Sequence, residues 1–300
     1  LEVRFMYSIE TTNLSKSYGK NRGIMDVNIA VKEGEIFGFI GPNGAGKSTT
    51  IKTLLNFIYP TSGKGTILGK DIVKESSEIK KYIGYVPSEV NYYENVKVSD
   101  LINYGASFYP GSNKEDIERL FKELDIEKNK KMGELSLGNK KKIAIVQAII
   151  SNPKVLILDE PTNGLDPIMQ NKLFSILLEE KSKGTTIFLS SHNLVEVQNL
   201  CDRVCVIKEG RIVDTLNIKE SNESLGVKVT IKGEGINEDK LLSMSHKIIN
   251  KENREYSFIY RDDINKLIRE LSSYTIEELF IEEESLEDTF LNYYKKERDR

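Results

Sequence analysis

One nine-residue segment restricts the fold of this chain more than any other feature. Residues 41–49 read Gly-Pro-Asn-Gly-Ala-Gly-Lys-Ser-Thr, which fits the pattern GxxxxGK[ST]. An apolar run, Ile36 to Ile40, precedes this segment, and a helix-forming run, Thr50 to Phe57, follows it. The pattern and its context predict a β-strand that ends in a glycine-rich loop, with a helix starting directly from that loop.

The residue types of this loop suit the binding of phosphate groups. Glycines let successive backbone N–H groups point inward, and the N-terminus of the following helix adds about half a positive charge. The Lys47 ammonium is expected to neutralise the β and γ phosphates of a nucleotide, and the Ser48 hydroxyl is expected to ligate Mg²⁺. The predicted nucleotide contacts are Gly41, Asn43, Gly44, Gly46, Lys47, Ser48 and Thr49.

Polar residues at the ends of two further apolar runs extend this site. Val155 to Leu158 leads into Asp159 and Glu160. We expect Asp159 to hold Mg²⁺ through its water shell and Glu160 to polarise a water for attack on the γ phosphate. His192 follows a second such run, and ligands bind at the carboxyl ends of strands in open α/β sheets. Two tandem carboxylates favour hydrolysis over binding alone.

The hydrophobic periodicity divides the chain into two domains. The beginning of the chain is mostly β, with strands predicted over Ile9 to Tyr18, Gly23 to Val31 and Glu35 to Ile40. Apolar spacings of three and four predict helical structure from Glu78 to about Ile126. Further elements are a crossover helix (Met169 to Lys183) between two parallel strands, Val155 to Leu158 and Thr186 to Leu189, and a hairpin (Val204 to Lys208 and Arg211 to Thr215).

The last 80 residues or so predict a small α+β domain. Strands are predicted over Val227 to Ile231, Glu255 to Tyr260 and Ile276 to Ile281, with helices near Asp239 to Ser245 and Asp262 to Ser273. A chain of 300 residues has the length of about two domains. We place the nucleotide-binding domain at residues 6–218, with a helical insert at about 84–150, and the accessory domain at 221–300.

The amino-acid composition limits the kinds of partner that this chain is expected to bind. Lys and Arg number 43 against 46 Asp and Glu, so a net charge of −3 provides no bulk attraction to nucleic acid. The longest apolar stretch, Ile143 to Ile150, is far shorter than the roughly 18 to 20 residues that span a bilayer. No basic-then-apolar leader opens the sequence, so a cytoplasmic location is expected. Cys201 and Cys205 lack metal-ligand companions and are interpreted as packing residues.

Several ordered elements resemble the ATP-binding subunit of ABC transporters over about residues 9–214. Besides the glycine-rich loop and the Asp159 element, Leu135 to Asn139 stands in the place of the signature motif and Gly164 to Asp166 in that of the D-loop. His192 matches the switch histidine, and Tyr18 matches the aromatic residue that stacks on adenine. The resemblance implies an α/β fold of the P-loop NTPase class. That fold has a parallel-sheet core, an N-terminal antiparallel β subdomain, a helical insert and, here, a small C-terminal α+β domain.

The resemblance also implies how such a subunit works. ATP with Mg²⁺ would lie between the glycine-rich loop of one subunit and the signature segment of a second, identical or different subunit, which contributes Ser136, Gly138 and Asp166. Glu160 and His192 would be the catalytic residues. A separate transmembrane permease would be a further partner, which places the subunit on the inner face of the cell membrane, and no nucleic acid is involved.

Three positions depart from the family pattern. Leu137 and Asn139 stand where glycine and glutamine are usual, and a leucine reaches positive φ only at a cost. Ser88 stands where a glutamine normally bridges Mg²⁺ and the transmembrane subunit. Serine is too short for the same contact, so either Glu89 or a water substitutes, or the subunit hydrolyses ATP slowly. Ser88 is kept as a candidate at the metal site.

The lysine run 140–142 occupies the first turn of the signature helix, where the helix dipole disfavours cations. Two interpretations are open for this run, a solvated face or a nearby anion.

The leading hypothesis is an ATPase that drives transport, with export favoured. Leu286 to Leu291, followed by Tyr293 and Tyr294, either resembles the end of multidrug and bacitracin exporter subunits or forms an amphipathic closing helix. Tyr92 and Tyr93 are interpreted either as part of the permease contact or as local core. One alternative is a soluble ABC-type ATPase acting on a non-membrane assembly. Another is a weakly hydrolysing regulatory subunit, suggested by Leu137 and Ser88.

Overall fold

The computed structural model describes residues 7–19, 21–109, 111–218, 226–252 and 254–283. The chain divides into two compact units, Leu1–Asn217 and Ile218–Arg300. The predicted closing motif, Leu286 to Tyr294, lies outside the described residues. Within the described ranges, none of the helices has the length and apolar character needed to cross a bilayer.

A six-stranded sheet forms the centre of the first unit. Its strands are β4 (Ile36–Ile40), β7 (Ile83–Val86), β8 (Val155–Asp159), β9 (Thr186–Ser191), β10 (Arg203–Lys208) and β11 (Arg211–Asn217), in the order β11-β10-β4-β9-β8-β7. All neighbours pair in parallel except β10 and β11, which form an antiparallel hairpin. Every residue of β4, β8 and β9 is buried, as expected for parallel strands that are covered on both faces.

An antiparallel sheet formed by N-terminal strands makes up the second layer of this unit. Its strands are β1 (Tyr7–Tyr18), β2 (Asn21–Val27), β3 (Ala30–Lys32), β5 (Ser62–Ile67) and β6 (Lys70–Asp71). They lie in the order β2-β1-β5-β6, and β3 pairs with β1. The central sheet and this sheet together give the predicted P-loop architecture of a parallel core with an antiparallel subdomain.

Seven helices are described in the first unit. They are α1 (Lys47–Leu54), α2 (Ser76–Ile79), α3 (Val98–Ser107), α4 (Lys114–Glu123), α5 (Leu137–Ile149), α6 (Pro167–Ser182) and α7 (Leu194–Leu200). Two 3₁₀ turns cover Lys80–Tyr82 and Met132–Glu134. The α6 helix is the predicted crossover between β8 and β9, and its N-terminus is capped by the Asp166 side chain, which accepts a hydrogen bond from the Met169 N–H.

Residues 226–252 and 254–283 of the second unit form a four-stranded antiparallel sheet with two helices. Its elements are β12 (Val227–Glu234), α8 (Glu238–Met244), β13 (Lys247–Glu252), β14 (Glu255–Tyr260), α9 (Ile264–Leu271) and β15 (Thr275–Glu283). The strand order β13-β14-β12-β15 makes it a βαββαβ unit. Its core brings together Val229, Ile231, Phe258, Leu241 and Leu267 from the sheet and both helices.

Several local predictions are confirmed. The hairpin turn has Glu209 at φ 51° and Gly210 at φ 78°, the two positive φ values that a two-residue turn of this kind needs. Cys201 and Cys205 are free and buried, and burial raises the pKa of the Cys205 thiol to about 12. Both cysteines therefore act as packing residues.

The prediction of helical structure from Glu78 to about Ile126 was wrong at β7. This strand of four residues is too short to show a period of two, and it contains Gly84. A Cβ atom at Gly84 would overlap the Ala148 carbonyl oxygen, because β7 packs directly on α5. The predicted insert, 84–150, therefore includes part of a strand of the central sheet. Strands β5, β6 and β13 were not predicted, and the predicted strand Gly23 to Val31 is divided between β2 and β3.

We expect Gly84→Ala to destabilise the first unit by about 2 kcal/mol or more, because the added methyl group meets a backbone oxygen that cannot move aside. The matched control is Gly105→Ala in α3, where a Cβ atom would meet only ordinary contacts at 3.8 and 3.9 Å. The control should raise stability by about 0.5–1 kcal/mol. Urea denaturation of both variants tests this, and equal midpoints would contradict the packing of β7 on α5.

Candidate active site

The glycine-rich loop lies between the carboxyl end of β4 and the first turn of α1. Gly44 has a φ of 79° and Gly46, which caps α1, has a φ of 112°. A Cβ atom at Gly46 would also lie 2.9 Å from the Ile24 side chain. Glycine is therefore required at position 46 both by the backbone conformation and by the close packing of the loop on β2.

This loop forms one wall of a cavity of about 300 Å³. Residues 42–49 line the cavity together with Gly23, Ser88, Glu160 and Asn163. The structure thus brings the predicted phosphate loop, the predicted base Glu160 and the candidate Ser88 to one place, whereas Glu89 is not among the lining residues. Gly23 and Asn163 were not predicted, because no motif marks them in the sequence.

The ammonium of Lys47 is held by groups that belong to the same site. Its side chain is only 6% exposed, and its ammonium donates hydrogen bonds to the carbonyl oxygens of Gly41, at 2.6 Å, and Pro42, at 3.3 Å. The ammonium also lies 3.0 Å from Glu160 Oε1. An anion that enters the loop therefore competes with the Glu160 carboxylate for this one cation.

Glu160 follows β8 in an unusual backbone conformation. Its φ is 49°, in the left-handed region that non-glycine residues rarely occupy, and such strain often marks functional positions. The carboxylate is buried and divides its oxygens between two partners. Oε1 faces Lys47, and Oε2 lies 2.7 Å from His192 Nδ1. The loop after β9 thus places the half-exposed His192 ring against the predicted base.

Asp159 has one satisfied and one unsatisfied oxygen. Oδ1 accepts a 2.6 Å hydrogen bond from Ser190 Oγ, whereas the buried Oδ2 has no hydrogen-bond partner among the residues that the structure describes. A buried oxygen without a partner is costly unless it meets a ligand or ordered water. Carboxylate and hydroxyl oxygens are the donors that Mg²⁺ prefers, so Asp159 and Ser48 fit this ion or its water shell.

Ser190 is a site residue that the sequence analysis missed. Its hydroxyl donates to Asp159 and also accepts a 3.0 Å hydrogen bond from the Glu160 backbone N–H. Ser190 stands directly opposite Asp159 in the register of β8 and β9. The only sequence signal was its place near the end of a neighbouring apolar run, next to Ser191 and His192.

Glu196 on α7 joins the two loops that follow β8 and β9. Its buried carboxylate accepts hydrogen bonds from Thr162 Oγ1, at 3.0 Å, and from Ser191 Oγ, at 2.9 Å. Thr162 follows Glu160 by two residues and Ser191 precedes His192. The relative position of the base and the histidine is therefore fixed from outside the cavity.

The signature segment and the D-loop meet at a second location. Ser136 caps α5 and accepts a hydrogen bond from the Asn139 N–H at 3.3 Å. Gly138 approaches Gly164 so closely that a Cβ atom would overlap its carbonyl oxygen. Ser136, Gly138 and Asp166 do not line the cavity described above. Within this chain they form a separate surface.

Leu137, the lysine run 140–142 and Tyr18 are three further positions for which the sequence analysis made a prediction. Leu137 lies in the first turn of α5, 59% exposed and without positive φ, so the strain expected there was wrong. The solvated interpretation of the lysine run was wrong for Lys141 and Lys142, which are buried. Tyr18 ends β1 with its ring 44% exposed and is not a lining residue of the cavity.

The parallel core, the glycine-rich loop and the strand-end carboxylates define a P-loop ATPase. The family described as ABC transporter matches residues 24–163. The bacitracin transport ATP-binding protein BcrA of Bacillus licheniformis is 39% identical over 214 residues, which are 69% of this chain and 69% of the relative. The Nod factor export ATP-binding protein I of Rhizobium sp. (strain N33) is 32% identical over 301 residues, which are 98% of this chain and 99% of the relative.

A solved structure gives the same result. The dimeric structure of MJ0796, a bacterial ABC transporter cassette, is similar with a TM-score of 0.64 and 25% identity, covering 70% of this chain and 98% of that chain. The chain therefore belongs to the ABC transporter family, and it is an ATP-binding subunit that hydrolyses ATP.

Replacing Ser190 by alanine tests how the site is held. The substitution leaves Asp159 Oδ1 and the Glu160 N–H without their partner. We expect a loss of about 1–3 kcal/mol of stability and about a tenfold lower rate of ATP hydrolysis. The control is Ser175→Ala, whose exposed hydroxyl bonds only to Asn171 O within α6. Equal turnover in the two variants would contradict the positioning of the carboxylates by Ser190.

Proposed function

We propose that the chain is the ATPase subunit of a transporter, that it closes with a second ATP-binding subunit around ATP and Mg²⁺, and that it drives export through a separate permease. One observation carries the proposal. The carboxylate of Glu160 lies between the cation of the phosphate loop and His192, at the wall of the cavity that this loop forms.

The first step is a change of partner at Lys47. The phosphate groups of ATP carry more negative charge than the single carboxylate of Glu160, and the loop offers them backbone N–H groups as well. The Lys47 ammonium therefore moves from Glu160 to the phosphates. Ser48 and Asp159, with Ser88 at the cavity wall, would hold Mg²⁺, which neutralises phosphate charge when bound.

Glu160 is then free to act on water. We assign it the role of general base, which accepts a proton as a water oxygen attacks the γ phosphorus and the bond to the bridging oxygen breaks. His192 keeps the carboxylate oriented through the 2.7 Å contact with Oε2. The products are ADP and phosphate, and loss of the γ phosphate removes the charge that Lys47 and the partner surface share.

Ser136, Gly138 and Asp166 support the second subunit. None of the three lines the cavity, which supports a role toward a nucleotide bound by another subunit. The N-terminus of α5 beside Ser136 presents N–H groups and a partial positive charge, which suits a γ phosphate that arrives on another subunit. The related MJ0796 cassette forms a dimer. Tyr18, exposed at the end of β1, is proposed to stack on adenine.

Glu160→Gln tests the hydrolysis and the closed dimer together. Without the base, ATP turnover should fall by about 10²–10⁴-fold. The unhydrolysed nucleotide should then hold two subunits together, so light scattering should report a dimer with ATP and Mg²⁺ and a monomer without them.

The control for that experiment is Glu118→Gln on the exposed face of α4, where the carboxylate pairs with Lys128. This variant should keep wild-type turnover and should not accumulate as a dimer. If Glu160→Gln and wild type stay monomeric with equally low turnover, the weakly hydrolysing alternative is the correct one.

An apolar cavity of about 470 Å³ is proposed as the permease contact. Its lining residues are Asn91, Tyr92, Tyr93, Val96 and Leu101. Tyr93 is 87% exposed, an unusual position for so large an apolar ring unless a partner covers it. Binding there would hold the subunit peripherally on the cytoplasmic face of the membrane. An accessory role is proposed for the predicted C-terminal domain, residues 221–300, which falls within the second unit, Ile218–Arg300.

Tyr93→Ala should lower the fraction of the subunit that sediments with membranes when the native permease is co-expressed. We expect a loss of about tenfold in binding, since a buried aromatic anchor commonly contributes that much or more. Tyr59→Ala is the control, because Tyr59 is also exposed, at 67%, but does not line this cavity. Membrane recovery that is equal for both variants would contradict the proposed contact.

A further inference from the structure

Lys141 has an unusual environment for a lysine. Lys141 is 0% exposed, and its side chain is among the largest fully buried ones in the described part of the chain. The ammonium donates two hydrogen bonds of 2.8 Å, one to the carbonyl oxygen of Pro87 and one to that of Ser88. Burial lowers the pKa of Lys141 to about 8, while the negative charges of Asp159 and Glu160 act in the opposite direction.

Neither packing nor helix formation explains a lysine at this position. Burying an ammonium costs free energy that an apolar side chain of the same length does not cost. Position 141 lies in the second turn of α5 and not in the first turn as predicted, and so near the helix N-terminus the helix dipole offers a cation no stabilisation. What distinguishes Lys141 is therefore the pair of carbonyl oxygens that it holds.

These two oxygens belong to the loop that follows β7. Ser88 of this loop lines the nucleotide cavity together with Glu160. The carbonyl oxygen of Ser88 is fixed by Lys141, so the lysine sets where the rest of Ser88 stands relative to the cavity. The same lysine is close enough to the site for the charges of both strand-end carboxylates to act on it.

A second contact connects the same loop to the same helix. The Tyr92 hydroxyl donates a 2.8 Å hydrogen bond to Gln147 Oε1. Lys141 and Gln147 are separated by about 9 Å along α5. The segment 87–92 is thus held at two points along the helix whose N-cap is Ser136.

We propose that Lys141 is a positioning residue for ATP hydrolysis, which fixes the Ser88 loop to α5 by its two backbone hydrogen bonds, with Tyr92 and Gln147 as the second point of attachment. A displacement of the loop then moves the signature segment with it. Both hydrogen bonds of Lys141 end on main-chain oxygens, so the connection between the loop and α5 runs through the backbone. The inference depends on the ATPase activity of this chain and not on the proposed permease contact.

The test compares Lys141→Met, Lys141→Arg and Tyr92→Phe with the wild-type chain. Methionine keeps the length and removes both hydrogen bonds, arginine keeps a donor, and phenylalanine removes only a hydroxyl group. The control is Lys122→Met, at an exposed position of α4. For each variant, kcat and KM for ATP are measured, together with the Kd of ATP under non-hydrolysing conditions and the melting temperature.

We expect Lys141→Met to lower kcat by about tenfold or more, because a catalytic group displaced by about 1 Å commonly costs this much. The Kd of ATP should stay within about twofold, because Lys141 does not line the nucleotide cavity. Lys141→Arg should recover most of kcat, Tyr92→Phe should lower kcat by a smaller factor, and Lys122→Met should match wild type.

Two results would overturn the proposal. One is an unchanged kcat in folded Lys141→Met, which means that the lysine only contributes to stability. The other is a kcat loss accompanied by an equal rise in the Kd of ATP. If Lys141→Met does not fold, the proposal is tested with Tyr92→Phe instead. An unchanged kcat in Tyr92→Phe then overturns the proposal. Wild-type turnover in the same assay reports separately on the proposed function.

Discussion

The buried ion pair between Lys47 and Glu160 is the interaction on which the rest of the site depends. Both side chains are almost fully excluded from solvent, and the 3.0 Å separation of their charges offsets part of the cost of burying each one. The strained φ of Glu160 and the contact with His192 keep the carboxylate on this side of the cavity. In the proposed mechanism a triphosphate replaces the carboxylate at Lys47 and Glu160 keeps its contact with His192, so nucleotide binding is coupled to the release of the proposed base.

The parallel sheet fixes the positions of the groups that take part in this exchange. Asp159 and Ser190 are opposite each other in the register of β8 and β9, so a single hydroxyl can hold both the Asp159 carboxylate and the backbone N–H of Glu160. Glu196 then fixes the two following loops to each other. These contacts lie behind the cavity, where solvent does not compete for them, and they position groups on separate strands as one unit.

Much of this arrangement could be predicted from the sequence, because short motifs carried it. The glycine-rich loop, the acids at the end of β8 and His192 each lie next to an apolar run. The motif therefore supports the prediction of the strand, and the strand supports the interpretation of the motif. The role of Ser190 depends on strand register, which no local pattern encodes. Strand β7 was not predicted, because its four residues are too few to show the period of two that marks a strand, and the surrounding apolar spacing is helical. The lysine run looked like a solvated helix face, since nothing in the sequence shows that Pro87 and Ser88 direct their carbonyl oxygens toward α5.

The two hydrogen bonds of Lys141 end on main-chain oxygens, which every amino acid possesses. Side-chain identity at positions 87 and 88 can therefore drift in evolution without breaking the attachment of the loop to α5. Related subunits would be free to alter these two positions to suit new membrane partners while they retain the same internal linkage.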